Sequence, residues 1–183
     1  MKSIAGFVIS ILVVLSAVSH ATQIVYQTPR QMGATSTIVV EGRVSNVRTF
    51  WNGDRTKILT EAQIAVSASH KGQAPGIVRV LQLGGTVGHV KANVAGALTW
   101  QPDEEVLLFL EVMPGGAHRV SGFSQGKYRV ERDASTGQRF VVAPSLEGVE
   151  LVGAPDGGVP PARLERVEVN RFVSEALGKG GAR

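Results

Sequence analysis

The chain contains no cysteine among its 183 residues. That absence excludes disulfide bracing, thiolate metal sites and cysteine nucleophiles together. Aromatic residues are scarce at 5%, with two Trp and two Tyr, so the strands are not expected to carry the stacking platforms that bind single-stranded nucleic acid. Beyond His20, histidine occurs only at His70, His89 and His118, far apart in the chain and in or beside predicted turns. No pair stands at a zinc-binding spacing. Gly122-Phe123-Ser124-Gln125-Gly126 has the Gly-x-Ser-x-Gly spacing, but a strand and not a helix is expected after Gly126, so it lacks the strand–turn–helix setting of a nucleophile elbow. Neither sign of charge dominates: 19 basic against 15 acidic residues leave +4, a solvated and slightly basic surface. After residue 21 no apolar run is long enough to span a bilayer.

The N-terminus is the exception to that last absence. Lys2 precedes an apolar run over 4–18, and Ser19-His20-Ala21 places small residues at the −3 and −1 positions of a cleavage site. This pattern predicts a secretory signal peptide cut after Ala21, with Thr22 as the new N-terminus and a secreted or periplasmic product. An uncleaved anchor is disfavoured because the run falls short of the ~20 residues a span needs. Thr22 in place of Cys excludes lipid attachment there. An exported chain without cysteine must be held by its core alone, which about 160 residues can provide. A bacterial envelope or extracellular protein fits this combination, with no stable membrane insertion after cleavage.

What the sequence does have is glycine, 22 residues, and short apolar segments between turn signals. This composition predicts a single mainly β domain. The longest internal apolar run, Glu105-Val106-Leu107-Leu108-Phe109-Leu110-Glu111-Val112, lies between Gln101-Pro102-Asp103 and Pro114-Gly115-Gly116. It reads as a central strand buried on both faces. Thr28-Pro29-Arg30-Gln31 reads as a helix start with a capping box, a short helix that plugs or caps one barrel end. A long strand over 37–50 carries Ile38, Val40 and Val44 inward, allows a sharp bend at Gly42, and shifts phase at Val47 as a bulge would. Asn52-Gly53-Asp54 predicts a tight hairpin turn, with the return strand from about Thr56 alternating Ile58, Ala62, Ile64 and Val66 inward. Strands over 77–83, 119–123, 127–131 and 139–142 follow, with a weak strand over 87–94 and a crossing loop over 96–102. The 22–27 segment reads as a loose or an edge segment and 146–161 as a Gly/Pro-rich loop. Val169, Phe172, Val173, Ala176 and Leu177 then recur at helical spacing before Gly178. The division is therefore a signal peptide over 1–21, an OB-like antiparallel β-barrel over 22–145, and a loop, C-terminal helix and tail over 146–183.

Certain stretches carry a resemblance: Ile38-Val39-Val40-Glu41-Gly42-Arg43-Val44, the Trp51 hairpin, Lys71-Gly72, Gln82-Leu83-Gly84-Gly85, the Glu104 to Leu110 strand and Ser124-Gln125-Gly126-Lys127-Tyr128. Over roughly 36–130 the chain resembles small exported bacterial proteins whose barrel is similar to that of the tissue inhibitors of metalloproteinases and netrin-like modules. The resemblance implies an exported binding domain, with a secreted protease as one conceivable partner. The inhibitors' zinc-chelating N-terminal Cys has no counterpart here, since Thr22 stands in its place.

The residues that could carry function lie at predicted loops. Trp51 with Asn52 and Arg55, His89 with Lys91, and Trp100 are the candidate binding residues. Each rim Trp either anchors a ligand or plugs a barrel end. Glu104-Glu105 would point to opposite strand faces and so would not form one carboxylate site. Gly84-Gly85-Thr86-Val87-Gly88 lacks the Lys-Ser/Thr of a phosphate loop. No catalytic residue, metal or cofactor is expected. The first expectation is a non-catalytic module that holds a protein through its rim loops. The second is a binder of envelope glycan or polyanion through Arg43, Arg48, Arg55, Lys57 and Lys91. A metal-dependent hydrolase built on the scattered His ranks third, and nucleic acid is not expected.

Overall fold

The computed structural model describes residues 22–144, 146, 149–154 and 166–179. The predicted signal peptide lies outside them. In chain order the elements are β1 (Thr22–Val25), α1 (Pro29–Thr35), β2 (Ile38–Trp51), β3 (Ile58–Lys71), β4 (Ile77–Leu83), β5 (Gly85–Val87), β6 (Val90–Ala92), β7 (Glu105–Val112), β8 (His118–Val120), β9 (Lys127–Arg132), β10 (Arg139–Val142), β11 (Val149–Val152), β12 (Val167–Glu168) and α2 (Val169–Ala176). The fold is mainly β, a closed five-strand OB-like barrel with a short helix near each end of the chain.

The barrel runs β2–β3–β4–β8–β7 and back to β2. Four of its pairings are antiparallel. The β4–β8 pairing is parallel and consists of the single register pair Val80↔His118. That seam is the weakest stretch of the wall.

β7 organises the rest. One edge pairs with β2 from Glu105 to Leu110. The other edge is shared: Val106 to Leu108 pair with β9, and Leu110 to Val112 with β8. The strand thus belongs to the barrel and to an extension of the same sheet through β9, β10 and β12. Its side chains divide accordingly. Val106, Leu108 and Leu110 join Val40, Ile64 and Val80 inside the barrel. Leu107 and Phe109 join Met32, Tyr128 and Phe172 in a second core beneath the helices. Burial on both faces explains why this stretch is apolar at consecutive positions.

β2 follows its predicted pattern. Register shifts at Glu41/Gly42 and Val44/Asn46 mark its bend and bulge. A Cβ at Gly42 would stand 2.5 Å from the Ala65 carbonyl oxygen, so the close β2–β3 approach there requires glycine. The connecting turn differs from the expectation. The positive φ falls on Arg55, at 56°, not on Gly53, and the loop occupies 52–57 before β3 begins at Ile58. Asn52 Oδ1 accepts from Lys57 N at 2.7 Å, so its side chain closes a wider loop than a two-residue turn.

Other elements also depart from the sequence reading. The capping box on α1 is present, with Thr28 N donating to Gln31 Oε1 at 2.8 Å and Gln31 N to Thr28 Oγ1 at 3.2 Å. Yet α1 does not plug the barrel. Met32 is buried in the helix-side core, and a Cβ at Gly33 would fall 2.2 Å from Ala176 O, so α1 crosses closely against α2. The 22–27 segment is not loose: β1 pairs in parallel with β11, Thr22↔Val149 through Val25↔Val152, and β11 lies within the stretch read as a loop. The segment over 85–92 is a β5–β6 hairpin. β8 ends at Val120, so Phe123 belongs to a turn and not to a strand.

Candidate binding cleft

The six sequence-predicted residues fall into separate environments. Trp51 ends β2 opposite the inward-facing Ile58 and is half-buried, on the same strand face as Val47 and Thr49. Asn52 is spent on closing its own loop, and Arg55 is exposed. His89, at the β5–β6 tip, and Lys91 are exposed. This hairpin is tied to β2 by Thr49 Oγ1, which donates to Thr86 O. The Trp51 loop and the hairpin are therefore neighbours.

Trp100 stands apart from them and plugs an end of the barrel. It packs with Leu98 on the barrel core, donates from Nε1 to Gln82 Oε1 at 3.2 Å, and lies under the Lys127 ammonium, 4.7 Å from its ring centre. Lys127 also donates to Thr99 O at 2.6 Å and to Glu104 Oε2 at 2.7 Å. Burial lowers the Lys127 pKa and the Glu104 partner offsets part of that. Two of this cation's donors and its contact with the Trp100 ring hold the 99–104 segment in place. Glu105 takes a different partner, Arg43 at 2.6 Å, so the two adjacent carboxylates serve opposite faces as their spacing requires.

The histidines do not converge. His70 Nε2 meets Glu41 Oε1 at 2.7 Å, His118 is buried at the seam, and His89 is exposed. Among the described residues no group of three His, Asp or Glu side chains stands close enough to hold a metal.

A large concavity lies along the weak β4–β8 seam, beside the Gln82 side chain to which Trp100 donates. Beyond Val80 no strand pairs with the outer edge of β4 among the described residues. The wall opens there into a cleft of ≈ 650 Å³, whose lining includes Leu81, Leu83, Leu98, Met113, Val120 and Phe123. Glu111 and Arg119, its only charged lining residues among those described, are cross-strand partners. Arg119 Nη2 and Nε reach Glu111 Oε2 at 2.6 and 3.0 Å.

Two features single out this cleft. Phe123 has a φ of 66°, next to Gly122 at 62°. A bulky side chain there is a genuine outlier, held at a cost of about 1–3 kcal/mol, and the ring is 41% exposed rather than buried in compensation. The turn that imposes this is fixed by Gly126 N donating to Ser121 O at 3.1 Å and by Ser36 and Ser121 hydroxyls 2.8 Å apart. Second, the buried polar side-chain atoms without partners among the described residues are Gln27 Oε1, His118 Nδ1 and Ser124 Oγ. Gln27 lines the cleft, His118 forms the seam pair, and Ser124 follows Phe123. Buried groups of this kind are few in folded proteins.

Sequence reasoning missed this cleft because its walls are ordinary Leu, Val and Phe. Only Gly122 before an aromatic hinted at the turn. The cross-strand row Phe50–Leu59–Leu83 leads from the cleft towards the end of β2, where the Trp51 loop begins. No protein-family model matches the chain, and no curated protein sequence matches it.

Proposed function

We propose that the protein is an exported, non-catalytic binding module that holds a protein partner in the apolar cleft along the β4–β8 seam, with the Trp51 loop and the β5–β6 hairpin at its rim. The observation that carries this reading is Phe123, a strained and half-exposed aromatic on the wall of an opening whose charged lining residues, Glu111 and Arg119, neutralise each other. Apolar concavities with few polar groups are the usual form of a binding site, and buried aromatics supply most of the affinity at protein interfaces.

The likeness to tissue inhibitors of metalloproteinases does not extend to their mode of binding. Thr22, the first residue after the proposed cleavage, is paired in β1 with Val149. A chain start held in a sheet is not offered to a protease's zinc. A secreted protease as partner would have to be met through the cleft.

The glycan or polyanion reading draws on Arg55, Lys57 and Lys91, which are exposed and form no ion pair among the described residues. It is weakened at Arg43 and Arg48, whose guanidiniums are neutralised by Glu105 and Glu61.

Crosslinked capture from producing cells with the tagged full chain separates the two. A protein partner lost on Leu83→Glu, and retained in high salt, supports the first reading. Recovery of only an anionic polymer, released by salt and indifferent to Leu83→Glu, contradicts it.

A further inference from the structure

The binding reading leaves open what kind of surface enters the cleft, and the backbone of β4 narrows it. Gly84 N donates to Ile58 O at 2.9 Å. That bond fixes which residues of this antiparallel pair turn their backbone groups towards β3: those of the 78, 80, 82, 84 series. Alternation sends the backbone groups of Leu81 and Leu83 to the opposite edge. On that edge the Val80↔His118 pair is the last contact with a strand among the described residues. The bridge at Val80, whose own groups face β3, is made through Arg79 and Leu81 and takes up the Leu81 N–H, so the cleft has apolar side-chain walls and, along one side, the Leu81 carbonyl and the Leu83 N–H and carbonyl without a strand partner among the described residues.

We propose, on the basis of the binding reading above, that the cleft takes an extended, uncharged, apolar segment of a partner polypeptide, added as a strand to the outer edge of β4. Three observations select this occupant. Open strand groups are matched by another peptide backbone and by no lipid or glycan in the same repeating way. The Glu111–Arg119 pair is internally neutralised, so the lining has no net charge to attract an acidic or basic segment. The walls are Leu81, Leu83, Val120 and Phe123, which suit apolar side chains at every second position of an extended chain. Edge bonds over so short a stretch set register. The apolar side chains in the cleft supply the affinity.

The test uses linear octapeptides selected from a displayed random library against the purified full chain, then resynthesised with backbone N-methyl groups. Methylation of alternate amides removes the donors on one edge of a strand and leaves the other edge intact. The proposal expects selected peptides with apolar residues at alternate positions. One alternate methylation set should abolish binding while the other is tolerated, and Leu83→Glu should weaken binding at least about tenfold. It further expects the Leu83 amide to gain hydrogen-exchange protection in the complex. Peptides that bind equally well with either set methylated, or that leave the Leu83 amide unprotected, overturn strand addition while leaving a cleft-binding module intact. Failure to enrich any peptide also overturns the proposal, whereas loss of the module reading itself shows only in the capture experiment.

Discussion

Glu61 lies on the outer face of β3 yet is only 2% exposed, because Arg48 and Arg79 close over it from the neighbouring strands at 2.9 and 3.4 Å. Its carboxyl is held below the ordinary 4.5, chiefly by the Arg48 hydrogen bond, against the opposing effect of burial. At Glu41 burial acts to raise the pKa, but the His70 hydrogen bond and the Arg139 charge together outweigh it and the net shift is downward from 4.5. His118 is displaced for the opposite reason: burial disfavours its cation and lowers its pKa from 6.5, with a partial offset from the Arg79 backbone. All three groups bind fewer protons folded than unfolded within their windows, so each loses its contribution as pH falls. The His118 share is complete above 6.5 and drains below it; the two carboxylate shares are complete above 4.5 and drain below that. Urea denaturation across pH should show stability declining in two stages on acidification. His118→Gln should remove the upper stage and Glu41→Gln should flatten the lower one. Phe123 gives a sharper expectation at the same scale. Asn tolerates the left-handed region, so Phe123→Asn relieves backbone strain of about 1–2 kcal/mol. Thermal melting should find it as stable as the parent or more so, while binding to the cleft is lost.

At the scale of elements, α2 and β7 carry the second core. Phe172 meets Phe109 edge-on at 6.3 Å and Tyr128 at 4.6 Å between ring centres, and burial also raises the Tyr128 pKa. Phe172→Ala should cost about 3–5 kcal/mol by chemical denaturation, as deletion of a core aromatic does. Gly42→Ala, which forces a methyl group towards the Ala65 carbonyl, should cost about 1–3 kcal/mol. These are also the elements best read from sequence, and for a physical reason. β3 alternates because one face is dry, α2 repeats at 3.6 because one stripe is dry, and β7 is apolar throughout because both faces are dry. Burial writes itself into residue choice. Asn52-Gly53 marks the β2–β3 hairpin correctly, but not its turn type, because Asn52 spends its side chain on Lys57 N and leaves the positive φ to Arg55, a choice local residue types do not reveal. β1 and β11 were unreadable for a different reason: they pair across most of the chain, Thr22 with Val149, and each is only four residues long.

At the scale of the whole molecule, the barrel is closed unevenly. β2 and β3 are paired along nearly their full length, whereas β4 and β8 share one register pair. Local opening should begin at that seam. Native-state hydrogen exchange should find the 118–120 amides exchanging well before those of 106–110, and ligand binding should narrow the difference. The candidate site was legible only in part for the same reason. A cleft made by strands failing to meet is a property of tertiary closure, and the Leu, Val and Phe that line it are chosen much as any apolar residues are. Trp51 and Trp100 stand out in the sequence because each lies beside a predicted loop; of the two, Trp100 is spent on plugging the barrel. The most direct test places a photoreactive side chain at the cleft, Leu83→p-benzoylphenylalanine, and in parallel at the exposed Ser67 on the outer face of β3, in producing cells. The account predicts one discrete protein adduct from position 83 and none from position 67. No adduct at 83, or the same adducts from both positions, would contradict it.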